Sequence, residues 1–204
     1  MWALFNWQTQ AKILISAGVF VAWALDAGSS LLGVASAPFW KWASLAVTIV
    51  VLVLGTVLQA CWRPIWKRFP MLGRRLFPDL NGVWEGHLVS TWKNPQTGES
   101  PPPIPTTITI NQTLFTTSIT LQTGESKSYS TRCLLERLPD AGIARVWYSY
   151  DNQPNAEVSH RSARHEGVAW LELDLAAPNT LTGQYFTHRK TNGDITVQRT
   201  RARR

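Results

Sequence analysis

The sequence predicts a membrane-anchored all-β protein: two N-terminal transmembrane helices, then an eight-stranded antiparallel up-and-down (lipocalin-like) β-barrel. Three observations predict it. Of 204 residues, 45% are apolar and only 16% charged, with the apolar ones concentrated in the first third. Two long runs there lack the charge pattern of a soluble helix. Beyond residue 79 the chain alternates apolar and polar residues with period two, in short segments divided by turn residues.

The first run, residues 13–35, carries one acid, and the second, residues 42–61, carries no charge. At about 1.5 Å per residue, 20 helical residues span roughly 30 Å, the hydrocarbon thickness of a bilayer. A domain this small cannot bury two such helices. Ala35-Ser36-Ala37 resembles a signal-peptidase site, but the run is too long for a signal core, contains Asp26 and is followed at once by a second span. The reading is a hairpin turning at residues 36–41. Arg63, Lys67, Arg68, Arg74 and Arg75 follow with no acid among them, which places both termini and the barrel in the cytoplasm by the positive-inside rule. Trp2, Trp7, Trp40, Trp42, Trp62 and Trp66 sit where interfacial belts are expected. The expected units are a helical hairpin over 1–62, a basic juxtamembrane linker over 63–78 and a barrel over 79–204.

Asp26 falls near the middle of the first run, where an acid costs about 2.5–3.5 kcal/mol on insertion scales. Small residues at i,i+4, Ala24 with Gly28 and Ser29 with Gly33, permit close helix packing. Asp26, Gly28 and Gly33 are therefore candidate assembly residues in a homo-oligomer. The alternative is that Asp26 snorkels or pairs within the hairpin.

Residues 79–92, DLNGVWEGHLVSTW, mark the change of regime. Trp84, Gly86, Leu88, Ser90 and Trp92 share one strand parity, and Glu85, His87 and Thr91 the other. Further strands are expected at 105–112, 113–121, 126–136, 143–150, 166–175, 180–189 and 194–200. Turn chemistry separates them at 122–124, 139–142, 176–179 and 191–194, and longer loops run over 93–103 and 151–164. A two-sheet sandwich is the competing arrangement.

The parity carrying the larger apolar residues gives a candidate lining. One end is apolar, with Leu171, Leu181 and Ile119; the other collects Trp92, Gln112, Tyr150, His165, Thr187 and Arg189. Phe115, Tyr148 and Tyr185 complete the set. Unpaired buried polar groups cost roughly 1–3 kcal/mol each, so a polar, aromatic mouth over an apolar base suits a ligand pocket better than a dry core. Rings that stack on bases, with Arg and Thr for phosphate, suit a nucleotide. The competing reading makes the tyrosines ordinary strand residues and lets Arg189 snorkel at the rim.

Net charge is +7, yet residues 79–204 hold 13 Lys/Arg against 12 Asp/Glu, so a basic face for duplex nucleic acid is not expected. Cys61 and Cys133 form no framework, no Cys/His spacing suggests a metal, and no catalytic motif stands out. The sequence points to a binding protein, not an enzyme, without a cofactor.

The segments LNGVWEGHLVSTW, INQTLFTTSITLQT, YSYDNQP, RHEGVAWLEL and LTGQYFTHRKTNGDI resemble those of the membrane-anchored β-barrel effectors associated with CD-NTases in bacterial CBASS anti-phage systems. The resemblance implies two transmembrane helices in the inner membrane and a barrel that binds a cyclic dinucleotide made by a CD-NTase. It also implies assembly in the lipid bilayer and membrane disruption or growth arrest. Trp92, Tyr148, Tyr150 and Tyr185 then become stacking candidates, Arg189 and Thr187 phosphate ligands, and Gln112 and His165 readers of base or ribose edges. A membrane-tethered, lipocalin-like carrier of a small hydrophobic ligand is the alternative.

Overall fold

The computed structural model describes residues 1–33 and 38–201. The Ala35-Ser36-Ala37 motif, with it the first two residues of the expected hairpin link, and the last three residues of the expected barrel lie outside the described residues. The chain divides into two compact units, Trp2–Phe69 and Pro70–Arg204, the second also taking in Met1.

In the helical unit, α1 (Trp7–Leu31) begins where the Asn6 side chain accepts the Thr9 N–H at 2.8 Å, an ordinary N-cap. It stops four residues before the expected end because Gly33 takes a left-handed conformation, φ +66°, and caps it. Two expectations change as a result. Asp26 lies five residues from the end of α1, about 7.5 Å along the axis, rather than at mid-helix. Gly33 lies off the helix and so shares no helical face with Ser29, while Gly28 faces open space. The second span begins after Pro38 as α2 (Phe39–Leu52), passes through a π-helical turn (Val53–Leu58) and continues as α3 (Gln59–Arg68). Both spans are long and apolar enough to cross a membrane, with mean hydropathies of 1.5 and 2.3. Between α1 and α2 runs a groove of about 770 Å³ with Gly18, Ala22, Ala43 and Ala46 on its walls and Asp26 and Trp42 among its lining. The expected basic linker is largely helical: α3 reaches Arg68, and α4 (Pro70–Arg75) follows.

The second unit is a closed barrel of eight antiparallel strands, each paired with its neighbours in chain order. They are β1 (Gly82–Ser90), β2 (Ile104–Gln112), β3 (Thr117–Gln122), β4 (Ser126–Leu138), β5 (Ile143–Pro154), β6 (His165–Asp174), β7 (Thr180–Thr187) and β8 (Asn192–Arg201). Pairing of β1 with β8, from Val83 opposite Arg201 to Ser90 opposite Gly193, closes the ring and excludes the sandwich. We call the end where β1 starts the lower end and the end where it finishes the upper end.

Boundaries differ from expectation where side chains compete with the ladder. Residues 113–116 turn instead of pairing, because the Thr113 hydroxyl accepts the N–H groups of Phe115 and Thr116 at 3.2 and 2.9 Å. The last hairpin turns at 188–191, with Lys190 at φ 61°, so Arg189 stands in a turn and Asn192 and Gly193 already pair. In β4 a bulge between Ser130 and Arg132 reverses the parity, and Cys133 and Leu135 fall opposite the inward-facing Tyr148 and Val146.

The lower half of the interior is solid. Trp84, Ile108, Ile110, Ile119, Val146, Leu171, Leu181, Ile195 and Val197 are all 0–1% exposed, so no water-sized void reaches them. The chain plugs this end as it enters: Phe77 and Leu80 are buried, and the Leu80 N–H donates to Gln112 Oε1 at 2.8 Å. Asn81 exchanges bonds of 2.7 and 2.9 Å with the Gln112 backbone. Arg199 lays its guanidinium 4.3 Å over the Trp84 ring and donates to Asp79 O and Asn81 O at 2.8 and 3.4 Å. The Trp84 indole N–H bonds Leu80 O at 3.0 Å.

Trp84 is thus core, plug and cation partner at once, whereas Trp92 follows β1 in a loop and is 45% exposed. Trp84→Ala is expected to cost about 3–5 kcal/mol, the range for a buried aromatic truncation, and Trp92→Ala less than about 1 kcal/mol. Denaturation of the full chain in detergent, followed by circular dichroism, checks this; equal losses would refute the division.

Candidate ligand-binding site

Above the apolar half the inward positions turn polar and aromatic. Tyr148 and Tyr150 follow one another inward on β5, with ring centroids 6.0 Å apart and planes at 47°. Each upper tyrosine stands opposite a glycine that leaves its ring room. A Cβ at Gly167 would meet Phe186 O and the Tyr150 ring end at 2.4 Å. One at Gly193 would meet Val89 O at 2.2 Å and the Tyr185 ring at 2.7 Å. The period-two glycines of β6 and β8 are therefore seats for aromatic rings. Ser128 donates to Asn152 Oδ1 at 2.7 Å, and both are buried.

His165 opens β6 opposite Asn152, and its Nδ1 lies 3.2 Å from Ala163 O. A carbonyl only accepts, so Nδ1 carries the proton and a neutral ring leaves Nε2 as an acceptor. Burial, with the nearby Arg189 charge, holds the His165 pKa below its usual value against the opposing pull of its Ala163 bond and Asp151. Arg189 donates to Ser162 Oγ at 3.3 Å from the β7–β8 turn. Thr187 shares a 2.7 Å hydroxyl contact with Thr191. The β5–β6 loop over this end is tied down: Arg161 to Glu125 at 2.5 Å, Asn155 to Gly124 O at 3.0 Å, and Arg164 to both Asp151 oxygens at 2.7 and 2.6 Å. Those bonds pull the half-buried Asp151 carboxyl below its usual range.

Burial raises the hydroxyl pKa of both tyrosines, that of Tyr150 to about 12. Both stay neutral at physiological pH and present O–H groups and ring faces, not phenolate charge. The Tyr150 hydroxyl donates to Phe186 O at 3.4 Å.

The upper end therefore gathers Trp92, Tyr150, His165, Tyr185, Thr187 and Arg189, as expected. Three expected members stand elsewhere. Gln112 lies at the lower end, its side chain spent on Leu80 N and Pro78 O. The antiparallel reversal from β1 to β2 puts the end of β2 beside the start of β1, which parity alone does not reveal. Phe115 sits in the lower β2–β3 turn. Tyr148 is 3% exposed, one layer beneath Tyr150, so its face is closed to a ligand at the mouth. Sequence reading missed Ser128, Asn152 and Ser162. The first two lie on strands whose inward parity a bulge or an extended boundary obscures, and Ser162 lies in a loop, where no periodicity speaks. No cluster of three or more His, Cys, Asp or Glu that could hold a metal occurs among the described residues.

A family model described as Cap15, cyclic dinucleotide receptor domain, matches residues 76–199. A curated relative, CD-NTase-associated protein 15 of Staphylococcus schleiferi, is 26% identical over 156 residues, covering 76% of this chain and 78% of that protein.

The His165 environment makes a signed prediction. A histidine whose folded pKa is depressed contributes stability that is present above its unfolded value of about 6.5 and lost as pH falls below it. Between pH 7.5 and 5.5 the melting temperature of the wild type should therefore fall more steeply than that of His165→Gln. Parallel curves would show that this ring titrates as in the unfolded chain.

Proposed function

Because the chain belongs to the Cap15 cyclic dinucleotide receptor family, we propose that its barrel binds a cyclic dinucleotide at the upper end and that binding drives assembly through the membrane helices. In this reading the protein is a CBASS effector whose messenger comes from a CD-NTase, and assembly in the bacterial inner membrane ends in membrane disruption or growth arrest. Five cations without an acid after the second span favour a cytoplasmic barrel and termini. Nothing in the chemistry of the upper end calls for turnover; the protein acts as a receptor.

One observation carries the reading: the end of the barrel opposite the plug carries the Arg189 guanidinium, which no carboxylate pairs among the described residues, with the neutral His165 imidazole and the rings of Trp92, Tyr150 and Tyr185. A cyclic dinucleotide offers two flat bases and two phosphates. Trp92, Tyr150 and Tyr185 supply faces for the bases. Arg189, held among the described residues by one 3.3 Å bond to Ser162, is placed to exchange that hydroxyl for a phosphate, with Thr187 two residues away. His165 Nε2 accepts from a base N–H or a ribose hydroxyl. The solid lower half argues against a lipocalin-like apolar ligand, which needs a cavity where Leu171, Leu181 and Ile119 leave none.

Calorimetric titration of the full chain in detergent against a panel of cyclic dinucleotides tests this. One member should bind saturably, and Arg189→Ala should weaken it about tenfold, the loss of one charge-assisted bond, with weaker binding as salt rises. No binding by a folded protein to any member would overturn the proposal, as would unchanged affinity in both Arg189→Ala and Tyr185→Ala.

A further inference from the structure

The barrel is closed, but its wall is not paired along its whole length. β3 pairs with β4 at three positions only: Thr120 opposite Tyr129, Leu121 opposite Ser128 and Gln122 opposite Lys127. Beyond Tyr129, β4 continues to Leu138 with β5 on its other side throughout. The ladder breaks where the Ile119 N–H donates to the Ser130 side chain, at 2.9 Å, instead of to a strand carbonyl. The β2–β3 turn does not fill the gap, since its amides are spent on Thr113 and Thr116. Residues 132–138 thus expose a one-sided edge whose backbone donors and acceptors are a template for another strand.

The outward side chains of that edge are Arg132, Leu134 and Glu136. Leu134 is 61% exposed. Arg132 is exposed and makes no hydrogen bond or ion pair among the described residues. Among the described residues Glu136 bonds through Oε2, which accepts from Trp147 Nε1 at 2.9 Å and Arg145 Nη1 at 3.4 Å.

We propose that this edge of β4 pairs antiparallel with the same edge of a second copy of the chain, about a two-fold axis at Leu134. The proposal deepens the assembly step of the proposed function by giving that step a surface. The register is chosen by the side chains. Centred on Leu134, the two leucines meet, and Arg132 faces the partner's Glu136 at both ends of the contact. A shift of the axis by one residue pairs Arg132 with the partner's Leu134 or leaves Glu136 against it. A shift by two sets arginine against arginine or glutamate against glutamate. One register alone is complementary in shape and charge, as an isologous interface requires. A partner of other sequence would have to reproduce this arrangement; a second copy does so by symmetry.

Cross-linking of the full chain in lipid vesicles, in a Cys61→Ser/Cys133→Ala background, tests it with and without cyclic dinucleotide. Opposed residues of antiparallel strands have Cα atoms about 4.5–5.5 Å apart, within the range of a disulfide. Leu134→Cys should therefore oxidise to a covalent dimer in at least one condition, while Val89→Cys, 45% exposed on β1, should not. Adding Arg132→Glu or Glu136→Arg to Leu134→Cys places like charges across the axis and should lower the dimer yield at least about fivefold. Mixing those two variants restores both ion pairs and should restore the yield. Cross-linking of Leu134→Cys no better than Val89→Cys in either condition overturns the interface, and so does failure of the mixture to recover. Titration of the same variants keeps the two ideas apart, since retained ligand binding without cross-linking refutes this interface and leaves the receptor reading standing.

Discussion

The architecture of the barrel depends on the stack of Arg199 on Trp84. A guanidinium turned inward would ordinarily carry a heavy desolvation cost. Here it meets an aromatic face at 4.3 Å and two backbone carbonyls of the segment that leads into β1. That contact joins the first and last strands across the seam where the barrel closes, and holds residues 79–81 across the lower opening. With Gln112 completing the plug, one end is sealed by hydrogen bonds and the half above it by packed aliphatic side chains. The lower end is thereby closed.

The same constraint explains how polar groups are divided between the two ends. Polar groups below are consumed by the backbone and lock the fold. Two of those above are less committed: Arg189 has a long bond to one serine, and His165 one to a carbonyl. Tyr148 and Tyr150, held neutral by burial, stand above the apolar half without adding a negative charge to the interior. Glycines opposite Tyr150 and Tyr185 let rings of full size occupy a barrel of only eight strands.

Much of this was legible in the sequence. Two apolar runs and eight period-two segments identified the architecture, because membrane thickness and strand pleat impose simple lengths and periods. The inward parity of Trp84, Leu171, Tyr185 and Thr187 followed from the same alternation. What parity cannot state is which end of the barrel a residue occupies, and Gln112 and Phe115 were misplaced for that reason. β4 stayed opaque because its bulge at Thr131 reverses the alternation midway, and α1 was drawn too long because the capping role of Gly33 is a backbone property. Arg189 stands in a turn and not on the strand that periodicity suggests.

In the proposed receptor the two ends of one barrel have separate duties, structural below and ligand-binding above. Hydrogen exchange of the full chain in detergent, with and without the cyclic dinucleotide selected by titration, tests it most directly. New protection should be confined to connections at the upper end, residues 91–93, 155–166 and 186–193, with exchange at 79–82 and 111–118 unchanged. Protection concentrated at 79–82 and 111–118, with none around Arg189, would contradict it.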